Sequence, residues 1–175
     1  SVFATLRGLD VQAAPVVAPP PPPPPAPVPR LANLLKPEVD AGLISVQDFA
    51  DRSVVVIRGD GFFEPGSAVV AGKVMPLLAR IQAALQPLPG TVLITGHTDN
   101  QPIRSLRYPS NWHLSQDRAN AVKSVLAGSL KPERLRAEGR ADAEPMPGAD
   151  NVTPAGRAQN RRVEITLFMP QGGAV

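Results

Sequence analysis

Residues 91–126 read TVLITGHTDNQPIRSLRYPSNWHLSQDRANAVKSVL, and the rest of the chain is organised around the strand, loop and helix that this stretch predicts. Residues 91–95 are β-branched and apolar, the composition of a buried strand. Gly96, His97, Thr98, Asp99 and Asn100 are turn formers that end it. A polar loop of exposed-type residues, including Tyr108, Asn111 and Trp112, then runs to His113. A helix is expected from Leu114, with Ser115 as its N-cap and Asp117 in a first turn whose dipole favours an acid.

Arg118 is the informative residue of that helix. Helical spacing puts Leu114, Arg118, Ala121, Val122 and Val125 on one side. A guanidinium at the inner edge of an apolar stripe needs a partner, because orphaning a buried charge costs ~3–5 kcal/mol. Asp99, at the carboxyl end of the preceding strand, is the carboxylate in reach. Open α/β sheets commonly place ligands at that end, and the helix N-terminus attracts anions. Pattern alone leaves two readings equal: a structural salt bridge, or an anchored anion and cation facing a ligand.

The flanking segments complete an architecture. Seven prolines run unbroken over 19–25. As polyproline II at ~3.1 Å per residue, 15–29 would span on the order of 45 Å, either as a stiff spacer or as an ordinary linker. Residues 31–41 carry a helical pattern that Pro37 must shorten or kink. Residues 43–47 and 53–58 predict a hairpin, and Gly59-Asp60-Gly61 closes its second strand. Phe62 and Phe63 fit core anchors. A long helix is expected over 69–85, bent at Pro76, with Val70, Val74, Leu77, Leu78, Ile81 and Leu85 buried. Residues 135–141 predict a strand in which Gly139 marks close packing or a bulge. Thr153-Pro154 predicts a short helix to Asn160, and Val163, Ile165 and Leu167 alternate as in a half-buried final strand. The expected fold is α/β: a mixed sheet with helices packed on one face. The expected organisation is a tail and proline-rich linker over 1–30, a domain over 31–170 and a short tail over 171–175.

Composition narrows the function. The net charge is only +3 and basic residues are dispersed, which argues against a nucleic-acid surface. The chain contains no cysteine, so disulfides and thiol chemistry are excluded. No run approaches the ~18–20 apolar residues of a membrane span, so any anchor is expected upstream of Ser1. His97 and His113 lack metal-ligand spacing, and no nucleophile motif accompanies them. Neither catalysis nor a metal or cofactor is expected, and His97-x-Asp99 reads as a structural hydrogen-bonded pair.

The segments Gly96–Asn100 (GHTDN), 111–122 (NWxLSxxRAxxV) and 156–165 (GRAxNRRVEI) resemble the OmpA-like peptidoglycan-binding domain in order and spacing. The resemblance covers roughly 44–168 and implies an α/β sandwich. It assigns Asp99 and Arg118 to gripping the diaminopimelate residue of the peptidoglycan stem peptide. Thr98 and Asn111 would surround that pocket, Leu114 would wall it or pack the core, and Arg161 would support it. Turn-stabilising roles for Thr98 and Asn111 are equally physical, and a cation at Arg161 is stabilised by a helix C-terminus whatever its function. Arg162 is expected to be an exposed or structural partner. The long loop after Asp99 is similar to the flagellar stator (MotB) and type VI secretion branches of the family. Together with the proline run it looks most like the periplasmic extension of type VI secretion anchor subunits (TssL type). That resemblance implies a periplasmic domain of an inner-membrane protein, partnered with peptidoglycan and with other subunits of an envelope-spanning complex. A homodimer is compatible with it. The alternatives are a stator anchor, or an interaction domain that has lost wall binding.

Overall fold

The computed structural model describes residues 15–22, 29–103 and 105–170. Expectations for 1–14, 23–28 and 171–175 lie outside these residues. Residues 15–22 carry no helix or strand and are exposed.

The domain begins with two short helices, α1 (Leu31–Leu34) and α2 (Lys36–Asp40). Pro37 lies in the first turn of α2, where its missing N–H costs nothing, so the expected kink becomes a break between two helices. The hairpin follows as β1 (Ser45–Asp48) and β2 (Arg52–Arg58). A single 3-10 turn over Gly72–Val74 leads into α3 (Met75–Leu85).

The helix expected over 69–85 is therefore half a dozen residues shorter, and Val69 is exposed. Pro76 explains the difference. A proline cannot donate to the carbonyl four residues back and its ring clashes there, so it starts the α-helix instead of bending it. Leu78, Ile81, Ala84 and Leu85 form the buried face; Val70, Val74 and Leu77 pack against the core from its margin.

The chain continues through β3 (Thr91–His97), α4 (Asn111–Leu126), β4 (Leu135–Gly139), α5 (Pro154–Asn160) and β5 (Arg162–Phe168). The sheet order is β1-β2-β5-β3-β4, with only β3 and β4 parallel. This is the expected mixed sheet, with the final strand β5 at its centre. Ladder rows run across it on the helix-covered face. Ser53, Leu167, Val92 and Leu135 form one row, and Val55, Ile165, Ile94 and Ala137 the next. These apolar residues, with Leu31, Leu35, Leu78, Ile81, Val122 and Leu126 from the helices, belong to one hydrophobic core.

The third row is Ile57, Val163, Gly96 and Gly139, and its two glycines decide how α4 sits. A Cβ on Gly139 would come within 2.5 Å of the Gln116 amide and 2.6 Å of the Ser115 hydroxyl. A Cβ on Gly96 would overlap the Ser115 carbonyl. The expectation of close packing at Gly139 is met, and Gly96 shares the role.

That approach also relocates the cap of α4. Ser110, not Ser115, is the N-cap, and its hydroxyl accepts from the His113 amide. The helix thus starts three residues earlier than expected, and Asp117 falls beyond its first turn. Ser115 is buried instead, donating to the Trp112 carbonyl and accepting from the Ala141 amide. Both serines suit a cap by residue type; contact with the glycine floor decides between them. The buried face of α4 accordingly includes Ser115 and Ala119, while Ala121 and Val125 are only partly buried.

Candidate functional site

Three chain segments meet at one pole of the sheet: the end of β2, the end of β3 and the start of β5. In register, Arg58 pairs with Arg162 and Arg162 with His97, so the residues just beyond these strands are brought side by side. The N-terminus of α4 and the turn over 64–67 close the sides. The result is a pocket of about 710 Å³. Asp99, Arg118, Thr98, Asn111, Leu114 and Arg161 all line it.

Asp99 is buried and held at both oxygens. Its Oδ1 accepts from the Gln101 amide at 2.9 Å, the turn-capping geometry open to an aspartate after a strand. Its Oδ2 accepts from Arg161 Nη1 at 2.6 Å. The ion-pair partner of Asp99 is therefore Arg161, and the Asp99–Arg118 salt bridge, one of the two readings that the pattern left open, is not formed.

Arg118 is buried but satisfied differently. Its Nε donates to the Ser67 carbonyl at 2.8 Å and its Nη2 to the Glu64 carbonyl at 3.2 Å. The guanidinium stacks over the Phe63 ring, 4.8 Å from the centroid. Burial lowers its pKa, opposed by the charge of Asp60, yet an arginine remains protonated. Nη1 has no hydrogen-bond partner among the described residues.

Thr98 donates its hydroxyl to the Asp99 carbonyl, and its amide donates to the Ala141 carbonyl. Ala141 holds a left-handed backbone at φ 49, a conformation costing roughly 1 kcal/mol for a residue with a Cβ. The hydrogen bonds at its amide and carbonyl hold it there and tie Thr98 to the end of β4. Asn111 donates to the Gln101 carbonyl at 2.9 Å, pinning the long loop to the first residue of α4. Leu114 is a buried apolar wall. Tyr108, expected to be exposed, is only 3% exposed, whereas Trp112 is 53% exposed.

Sequence reasoning passed over Asp60, which read only as part of a turn. Arg161 Nε and Nη2 donate to its two oxygens, each at 2.9 Å. This fork holds the Asp60 carboxyl below its usual range, and the same bonds raise the Arg161 pKa further. The only local signal was an acid between two glycines at a strand end. Arg162, by contrast, is a buried structural partner, pairing with Glu164 and donating to the Asn160 and Glu144 carbonyls.

His97 does not pair with Asp99. It lies on the opposite face of the sheet, within hydrogen-bonding distance of the Thr95 hydroxyl at 3.0 Å. Burial, assisted by Arg162 and Arg140, holds its pKa down to about 3. The unfolded chain protonates this histidine near an ordinary value of ~6.5 while the folded chain does not. Between these pH values the unfolded state binds more protons, so stability is full above the window and falls as pH drops through it, by up to ~1.4 kcal/mol per pH unit. Urea denaturation of His97→Gln should show a shallower loss of stability between about pH 6 and pH 4 than the parent. An unchanged slope would remove His97 as the titrating group.

Among the described residues, no three histidine or acidic side chains gather to hold a metal, and no helix is long and apolar enough to cross a membrane. Comparison with solved structures finds the cell wall anchor of the T6SS from Pseudomonas aeruginosa, 52% identical with a TM-score of 0.76. The match covers 81% of this chain and 99% of that one. The periplasmic domain of Helicobacter pylori MotB is 25% identical with a TM-score of 0.66, over 72% of this chain and 82% of that one. Motility protein B of Bacillus subtilis is 37% identical over 123 residues, 69% of this chain and 46% of that protein. The chain spans about half the length of the curated relatives that it matches first. The OmpA family model matches residues 62–161, from the buried phenylalanines to the arginine that grips Asp99, and the chain belongs to the OmpA family.

Proposed function

We propose that this chain binds peptidoglycan without cleaving it, through the diaminopimelate of the stem peptide, and anchors a type VI secretion membrane complex to the cell wall. The order of charges in the pocket carries this reading. Asp60, Arg161 and Asp99 alternate in sign along one wall, and Arg118 stands apart from them with a donor, Nη1, that has no partner among the described residues. The four charges sum to zero. A ligand that fits between Asp99 and Arg118 should therefore be a zwitterion, offering an ammonium to the first and a carboxylate to the second. The distal stereocentre of meso-diaminopimelate carries both groups on one carbon. Lysine at the same position of other stem peptides lacks the carboxylate.

Residues 31–170 would form the wall-binding domain, with 1–30 as tail and spacer, in the periplasm and attached to an inner-membrane segment. The 52% identity to the T6SS anchor, against 37% to Motility protein B and 25% to the MotB periplasmic domain, favours secretion over motility. Co-sedimentation with diaminopimelate-type sacculi tests the binding. The chain should pellet with the wall, be released by soluble diaminopimelate tripeptide but not by the lysine tripeptide, and liberate no muropeptides. Protein left in the supernatant would overturn wall binding, and steady muropeptide release would overturn the non-catalytic assignment.

A further inference from the structure

Asp60 is the acid in this pocket whose role neither the family motifs nor the turn chemistry explains. Its side chain is about half exposed, yet it takes both Nε and Nη2 of Arg161 in a two-bond fork. Arg161 is thereby left with a single bond to Asp99, from Nη1 to Oδ2. The backbones are joined as well, because the Gly59 amide donates to the Arg161 carbonyl at 2.7 Å.

We propose that Asp60 is a positioning residue for ligand binding: by holding Arg161 along one edge, it keeps part of the Asp99 carboxylate open to a ligand ammonium. This rests on the reading of the pocket as a diaminopimelate site. An ionised carboxylate offers about four acceptor positions. On Asp99 the Gln101 amide fills one and Arg161 fills another, which leaves roughly two facing the pocket. Arginine and a carboxylate prefer a paired, two-bond geometry when nothing prevents it. With Asp60 removed, the freed edge of Arg161 can turn onto Asp99 and occupy the positions that the ammonium needs. The same change leaves the pocket with one net positive charge, which also repels an ammonium. Asp60 touches no ligand atom in this account and acts through Arg161.

The test uses two soluble peptides and the full chain. One is the diaminopimelate tripeptide; the other is identical but lacks the side-chain ammonium while keeping the distal carboxylate. NMR shift titrations compare initial slopes, which need no saturation. Asp60→Ala should weaken binding of the first peptide about tenfold, the scale of one charge-assisted hydrogen bond, and should not weaken the second, which brings only a carboxylate to a pocket that has become more positive. Asp60→Asn, nearly identical in shape, guards against loss of folding and should move binding in the same direction. Thermal unfolding should change little in either variant, since the side chain is half exposed. Binding of the first peptide at parental strength by either folded variant overturns the role of Asp60 alone. An equal loss for both peptides also overturns it, because the effect would not pass through the ammonium. If the parent chain binds neither peptide, the diaminopimelate reading fails and takes this inference with it.

Discussion

Asp99→Asn and Arg118→Lys are each expected to weaken binding of a diaminopimelate stem peptide by on the order of 100-fold, with the domain still folded. Asparagine keeps the oxygen that caps the Gln101 turn but turns an amide N–H toward Arg161 or the ligand ammonium, where an anion is needed. Lysine keeps the charge of Arg118 but has a single ammonium. It cannot reach the Ser67 and Glu64 carbonyls and still present a planar fork to a carboxylate. Alanine is the poorer choice at position 118. It strips both carbonyls and uncovers Phe63, so lost binding would be mixed with lost stability.

A purely structural account gives Arg118 only the task of fastening the turn over 64–67. It predicts that Arg118→Lys loses binding only in proportion to unfolding. Titration of each variant with diaminopimelate and lysine peptides, alongside thermal unfolding, separates the two accounts. Folded variants that bind the diaminopimelate peptide like the parent would sink the ligand role of these residues. The lysine peptide should bind the parent weakly, because it brings no carboxylate to Arg118.

Gly96→Ala is expected to destabilise the domain by ~3 kcal/mol or more, the upper range for overpacking a well-filled core. The added methyl would meet the backbone of Ser115, which cannot move aside as a side chain could. Relief requires α4 to lift from β3 and β4, and α4 carries Asn111, Leu114 and Arg118 into the pocket. The melting temperature should fall by on the order of 10 °C, and wall binding should weaken even at temperatures where the variant is folded. Gly72→Ala is the control. A Cβ there meets nothing within 4 Å, so stability should stay within about 0.5 kcal/mol of the parent. Equal melting of Gly96→Ala and the parent would contradict the close approach of helix and sheet.

Much of the site was legible before its geometry was known. Asp99 stood at a strand end and Arg118 in an apolar stripe, and both face one pocket. Their pairing was misjudged. Asp99 is matched to Arg161, 62 residues away, and Arg118 to the carbonyl of Ser67, 51 residues away. Asp60 and Arg161 lie 101 residues apart, so no local pattern could join them. Within the loop, Tyr108 and Trp112 looked alike, but only Tyr108 is buried.

The elements themselves are local properties. The alternation of Val163, Ile165 and Leu167, the helical spacing of Leu78, Ile81 and Leu85, and the Thr153-Pro154 cap each follow from side-chain period and backbone chemistry over a few residues. The sequence by itself therefore determined the strands, the helices, the apolar faces that meet and the two charges most in need of partners. Tertiary structure alone decided which serine caps α4 and which partners Arg118 and Arg161 take. Those choices are between options of nearly equal local energy. Each is settled by contacts between distant segments: a helix lowered onto two facing glycines, and an arginine placed between two acids by strand register.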